Sequence, residues 1–345
     1  SGAVISAHQI GNFCAVLFSG FLPYVIGRKK STVLLVTGIP LGFLLVILTG
    51  IPGLLLFAFV LTGIGRGTMS NISNVTVSET SGNRTAALNI LHASFAVGAL
   101  SAPFLVILFT QVLHLDWRFP AIFIIVFEIG VLLLLAKSSL SNVPVLTKKE
   151  EKAADKKFLT SPIFWLNTSI LFMYLCCESG IVGWLVTYFK ESGGLSESLS
   201  QSTASLLWIM ILAGRLLCAI ISEKMNKAVL IVSMAIAQIV FFLLMILSSN
   251  MILIFIGLLG TGFAMSGFYP TVLSTMPKEF TSSTIATGTC IATATIGAII
   301  MPIVIGAIAE VTGIAGGISA IGVALGICVL LTIIKLIISY RVKKD

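Results

Sequence analysis

Charge is what this sequence has least of. Asp, Glu, Lys and Arg make up only 10% of its 345 residues, where a soluble domain carries about a quarter. The chain is 57% hydrophobic, with a mean hydropathy of +1.10. So few charges cannot cover the apolar surface that such a chain would present to water, which excludes a soluble globule. The same numbers exclude a disordered chain. Six cysteines all sit in apolar stretches, with no C-x-x-C spacing. That excludes a secreted disulfide scaffold and gives no zinc spacing. Strand-like alternation is missing too, which excludes a membrane β-barrel. There is no phosphate loop, nucleophile elbow or catalytic dyad, so no enzyme, cofactor or metal is expected. The net charge of +8 is then no sign of nucleic acid. It asks which side of a bilayer the positive residues occupy.

What the sequence has is long apolar runs. A spanning helix needs roughly 20 mainly apolar residues. Eleven runs meet that length, at about 3–26, 33–49, 53–77, 85–113, 118–136, 160–188, 201–222, 228–248, 251–275, 284–311 and 318–338. The connections alternate in charge. One set, including Arg28-Lys29-Lys30, the lysines of 137–157, Lys224, Lys227 and the tail after Arg341, holds sixteen Lys and Arg. The other holds only Arg118 and Lys190. The first set is expected to be cytoplasmic, with the C-terminus inside and residue 1 outside. The chain opens on Ser-Gly inside an apolar run, so a further span is expected before residue 1. The polar stretch 137–158 separates five runs from six. This predicts an N-terminal bundle over 1–136 (helices two to six), a cytoplasmic linker over 137–158 and a C-terminal bundle over 159–345 (helices seven to twelve).

The stretch Gly20-Phe-Leu-Pro-Tyr-Val-Ile-Gly27-Arg28-Lys29-Lys30 resembles the loop signature of the major facilitator superfamily, G-x-L-a-D-r-x-G-r-k. Gly20, Leu22, Gly27, Arg28 and Lys29 match, whereas Tyr24 and Val25 replace its acid and base. Glu223-Lys224 occupies the equivalent site of the second half. Other stretches are similar to the fucose-symporter-like sugar transporters of that superfamily. They are Gly65-x-Gly67 with Asn74, Leu88-Asn89-x-x-His92 with Gly98 and Pro103, Glu178 with Trp184 and Tyr188, Trp208 with Gly214-Arg215-Leu216, and Tyr269-Pro270. The resemblance implies an all-α 6+6 helix bundle with eleven of its twelve helices present. It also implies alternating access around a midplane site. Its cavity helices would include 53–77, 160–188 and 251–275. The family's titratable carboxylate on helix four corresponds to Ser70.

Ionisable groups inside spans cost roughly 2.5–3.5 kcal/mol on insertion scales, so each demands a reason. Arg66 lies mid-run, and Glu178 about ten residues from the outer end of its run. Their depths, roughly 20 and 15 Å from the outside at 1.5 Å per residue, suit a pair across the cavity or a shared substrate. Glu178 is the candidate proton carrier. Asn71 and Asn74, one turn apart, offer hydrogen bonds to hydroxyls or between helices. Trp184 and Tyr269 are candidates for stacking on a sugar ring; core packing is the alternative. Gly20, Gly27, Arg28, Lys29, Glu223 and Lys224 are the candidate gating loops. Arg215, Lys335 and Glu310 lie near run ends and are expected to snorkel. His92 and Glu128 are expected to bond structurally, with a gate or relay as the alternative, and His8 is undecided. Gly63-x-Gly65-x-Gly67, Gly38-x-x-x-Gly42 and Gly322-x-x-x-Gly326 predict close helix packing.

The function this predicts is secondary transport of a small polar solute, a sugar foremost, with H+ as coupling ion and Na+ as the alternative. An exporter of amphipathic compounds, served by a lining around Met265 and Phe268, or a non-transporting receptor or scaffold are the competing readings. A monomer in the cell membrane, in contact with lipid and with no nucleic acid, is expected.

Overall fold

The computed structural model describes residues 2–138, 157–192, 194–281 and 283–341. The linker expected at 137–158 therefore lies almost wholly outside the described residues, as do Lys343 and Lys344. The described elements are helices: α1 Gly2–Ile26, α2 Arg28–Val36, α3 Gly38–Leu48, α4 Pro52–Thr80, α5 Arg84–Ile107, α6 Arg118–Lys137, α7 Pro162–Glu191, α8 Glu197–Ile221, α9 Lys227–Leu247, α10 Met251–Ser266, α11 Phe268–Ser274, α12 Lys278–Thr281 and α13 Thr284–Arg341. Among the described residues, nine helices are long and apolar enough to cross a membrane. In hydrocarbon the backbone must satisfy its own hydrogen bonds, which is why apolar runs of this length become helices.

Every one of the eleven runs falls on a helix, but the breaks are not all where polarity changes. The run 33–49 divides at Thr37 into α2 and α3. The run 85–113 ends in a π turn over Leu108–Val112. The run 251–275 divides at Gly267. The last two runs form the two helical segments of α13, separated at Gly313, where φ is 78°. That left-handed value is open to glycine and to few other residues. Helix starts carry their own signals. The side chains of Ser196, Asn226 and Asn250 accept from Leu199, Ala228 and Ile252 amides, capping α8, α9 and α10.

The chain forms two compact units. Unit 1 holds Ser1–Glu79, Ser101–Ser161 and Lys278–Ala292; unit 2 holds Thr80–Leu100, Pro162–Pro277 and Thr293–Asp345. In unit 1 the glycines set how closely helices approach, since lipid gives helices no hydrophobic drive to associate. A Cβ on Gly63 would stand 2.1 Å from the His8 carbonyl oxygen, and one on Gly67 2.5 Å from that of Asn12. Gly65 turns the other way, toward Ile39, while Gly38 and Gly42 press on Leu61 and Ala58. The G-x-G-x-G motif thus serves two interfaces at once, α1 on one face of α4 and α3 on the other. Gly322-x-x-x-Gly326 does not follow this pattern. Gly326 faces open space, and a Cβ on Gly322 would meet the Phe242 ring at only 3.8 Å. Among the described residues, no neighbouring backbone comes within 4 Å of a Cβ at either position, so here the spacing sets no close helix approach.

In unit 2, α10 packs against both α8 and α9, and all seven residues of α11 are buried. The contrast with α6 in unit 1 is large. Only Ala121 of α6 is buried, while Val126, Phe127, Leu133 and Leu134 lie exposed, as suits a helix surrounded by hydrocarbon rather than water.

Candidate functional site

Two polar clusters stand out among the apolar helices, one in each unit. In unit 1 the close approach of α1 to α4 brings His8 beside Thr62 and Arg66. The Arg66 guanidinium donates to His8 Nε2 at 3.4 Å. A ring nitrogen that accepts leaves the other to donate, so His8 Nδ1 gives its proton to Thr62 Oγ1 at 3.0 Å. Thr62 in turn donates to the Phe59 carbonyl at 2.8 Å. The chain of donors fixes the neutral tautomer of His8. A cavity of about 490 Å³ opens beside it. Its polar lining is His8 and Gln9 of α1, Thr62 and Arg66 of α4 and Glu128 of α6; Ile39, Phe43, Phe59 and Ile124 are among the apolar remainder. Glu128, expected to bond structurally with a gate or relay as the alternative, thus lines a cavity. The signal that could have found it is its place in a helix with no other acid.

In unit 2 the organising residue is Arg215 of α8. The expectation that it snorkels to the interface is overturned, since it is 4% exposed. Its Nε donates to the Ser266 carbonyl at 3.1 Å and its Nη1 to the His92 carbonyl at 2.7 Å. Its Nη2 lies 3.9 Å from the Glu178 carboxylate. The Tyr174 hydroxyl reaches the same carboxylate at 3.1 Å and the Met265 carbonyl at 2.9 Å. A long side chain can leave the apolar region only if it points outward; inside a helix cluster with carbonyls to bind, it stays. Lys335 of α13 is buried likewise and does not snorkel. Its ammonium donates to Asn167 Oδ1 and Thr275 Oγ1.

The remaining expected residues fall as follows. Asn71 and Asn74 are buried; Asn71 donates to Ser19 Oγ at 2.9 Å, joining α4 to α1, and Asn74 to the Ser70 carbonyl at 2.8 Å. Trp184 is half-buried with its ring over Gly306. Tyr269 is buried and meets the His92 ring edge-on at 5.2 Å. Of the loop residues, Gly20 lies in α1. Gly27 takes φ 86° between α1 and α2, the turn its lack of a Cβ permits. Arg28 is 2% exposed and forks onto Glu79 at 2.6 and 2.9 Å. Glu79, at the end of α4, was not singled out in the sequence; it supplies the acid that Tyr24 does not. Lys29 is half-buried in α2, and Lys224 is exposed. Glu223 accepts from Asn83 at 2.8 Å. Met265 and Phe268 are fully buried, so they line no open surface, and that support for an exporter of amphipathic compounds falls away.

Residues 1–293 match the family model of the Major Facilitator Superfamily. The chain is 26% identical over 357 residues to YfkL, an uncharacterised MFS-type transporter of Bacillus subtilis, covering 99% of this chain and 87% of that one. Its fold is similar to that of the Escherichia coli fucose:proton symporter, with a TM-score of 0.81 at 16% identity over 96% of this chain and 89% of that one. The human organic anion transporter MFSD10 gives a TM-score of 0.79 at 16% identity, over 96% and 83%. At such identities the likeness to the solved structures is one of fold.

Proposed function

Because this chain belongs to the Major Facilitator Superfamily, a family of multi-pass membrane proteins that carry small molecules as secondary transporters, we propose that it moves a small polar solute of no net charge, a monosaccharide foremost, by alternating access coupled to protons. The observation that carries this reading is the unit 1 cavity. Its volume of about 490 Å³ falls within the roughly 300–1,000 Å³ of small-molecule sites. Its lining is mostly apolar with a few convergent polar groups, which is the usual composition of such sites. Those groups carry both signs. Arg66 offers donors, Glu128 acceptors, and Gln9 both. A polyol, whose hydroxyls each donate and accept, satisfies such a set with no charge left over.

Glu178 is the coupling carboxylate in this reading. A carboxylate inside a span is costly unless it has work to do, and its neighbours Tyr174 and Arg215 hold it in place. Asn71, Asn74, Trp184 and Tyr269 support the helices that carry these groups. The loops around Arg28 and Glu223 act as gates, on the cytoplasmic side that the Lys and Arg asymmetry assigns. The same asymmetry makes the 137–158 segment and the C-terminus cytoplasmic. The protein works as a monomer in the cell membrane.

The test is counterflow in proteoliposomes, with a panel of monosaccharides, amino acids and organic acids inside and tracer outside. Monosaccharide exchange that Glu178→Gln retains, together with loss of accumulation driven by a proton gradient, is the expected result. Exchange of organic acids but not of sugars would overturn the neutral-solute reading. Accumulation by Glu178→Gln equal to wild type would remove Glu178 from coupling. No exchange of any solute would leave the scaffold reading.

A further inference from the structure

The break between α10 and α11 begins in the sequence. Pro270 has no N–H, so the Ser266 carbonyl one turn before it has no helical donor. Gly267 stands between the two helices at φ −90° and ψ 0°. A carbonyl freed inside an apolar cluster must find a partner. Ser266 finds the Nε of Arg215, and the neighbouring Met265 carbonyl accepts from Tyr174. Both side chains that close the break also touch Glu178, within 3.9 and 3.1 Å. From the same guanidinium a third arm donates to the His92 carbonyl of α5.

We propose that Arg215 is a positioning residue which, with Tyr174, passes the charge state of Glu178 to the α10–α11 break and to α5. The inference rests on the reading of Glu178 as the coupling carboxylate. The chemistry follows from counting protons. A tyrosine hydroxyl has one proton to give, and here two acceptors lie within reach, the Glu178 carboxylate and the Met265 carbonyl. While Glu178 is ionised it competes for that proton and draws on Arg215. Once Glu178 takes up a proton, it becomes a donor to the tyrosine oxygen. The tyrosine proton then goes wholly to Met265, and Arg215 loses its negative partner Glu178 while keeping its two carbonyls. One proton on Glu178 therefore changes the hold on both carbonyls of the break and on the His92 carbonyl. The ionisable groups shown against Glu178 include Tyr174 of its own helix and Arg215 of α8, and the His92 ring is held against Tyr269. A fork is needed for this role. Arg215 reaches two carbonyls and a carboxylate at once, which the single ammonium of a lysine does not.

The experiment is hydrogen–deuterium exchange of the full chain in nanodiscs, read over 265–275 and over 88–96. The proteins are wild type, Glu178→Gln, Arg215→Lys, Arg215→Gln and the double variant Glu178→Gln with Arg215→Gln. Glu178→Gln is expected to change exchange in both segments by about tenfold, the scale of coupling inside one hydrogen-bond network. Arg215→Gln should change both segments and abolish any further effect of Glu178→Gln. Arg215→Lys should retain part of the dependence on Glu178. A residue that only fills space would not make one segment's exchange depend on Glu178. If Arg215→Gln does not fold, Arg215→Lys with and without Glu178→Gln carries the comparison. Wild-type exchange in Glu178→Gln, or effects of the two changes that add in full, would overturn the proposal. The failure of the transport reading is distinguishable. Coupled exchange without solute counterflow would keep the relay and remove the transport role, and counterflow without coupled exchange would do the reverse.

Discussion

Arg66 and Arg215 both place a guanidinium inside an apolar helix, and their surroundings differ in every respect that matters. Arg66 borders a cavity, is exposed to it, and meets a neutral histidine at 3.4 Å. Arg215 is enclosed, with two backbone carbonyls and a carboxylate around it. The first is arranged to meet something that comes and goes. The second is arranged to hold parts of the protein itself. The same residue type thus carries opposite meanings, and only the neighbours tell them apart. The two surroundings also arise differently. Around Arg66, glycines let whole helices touch; around Arg215, a proline opens a helix and a side chain fills the gap.

The comparison breaks most visibly if the two arginines prove equally replaceable. Arg215→Ala leaves the Ser266 and His92 carbonyls and the half-buried Glu178 carboxylate without their cation, a loss of about 1–3 kcal/mol for each buried group left unpaired. We expect a steep fall in thermal unfolding temperature in detergent and poor expression. Arg66→Ala, at an exposed site, should stay within about 0.5 kcal/mol of wild type. Equal losses would erase the distinction.

A smaller effect sharpens the role of the glycines. Gly63→Ala sets a methyl 2.1 Å from the His8 carbonyl oxygen, and overpacking of this kind costs about 1–3 kcal/mol. It should also displace His8 and so disturb the cavity. Gly326→Ala meets nothing within 4 Å and should be neutral, or stabilising by up to about 1 kcal/mol through helix propensity. Differential scanning fluorimetry of both variants reads the contrast; a Gly63→Ala protein as stable as Gly326→Ala would refute it.

The smallest stability effect belongs to Arg66→Gln, which should move solute binding instead. With the solute identified by counterflow, its affinity should fall by about tenfold or more, or ~1.4 kcal/mol, while unfolding barely shifts. Unchanged affinity would take Arg66 out of the site.

The helices could be read from the sequence because hydrocarbon imposes one rule on every span, and apolar length is a local property. The breaks were only half legible. Gly267 and Pro270 were visible as residues, but their consequence depends on Arg215, which lies 51 residues before the Ser266 carbonyl it binds. The break at Gly313 was legible, since it falls in the gap 312–317 between the last two apolar runs. The site residues divide on the same line. Arg66 and Glu178 announced themselves as charges in mid-span. Glu79 did not, because an acid at a helix end is ordinary until the fold sets Arg28 against it. His8 was undecidable for the same reason; its partners lie 54 and 58 residues further along. Arg215 was misjudged because nearness to a run's end says nothing about which way a side chain turns.

Lys335 bears on how the chain is made. Its partners, Asn167 and Thr275, belong to segments synthesised 168 and 60 residues earlier. A lysine entering the bilayer alone is penalised by roughly 2.5–3.5 kcal/mol, so α13 enters at a disadvantage unless those oxygens already wait in the membrane. The buried amine thus sets an order of events during biogenesis: α7 and α11 must be in place before α13 can settle.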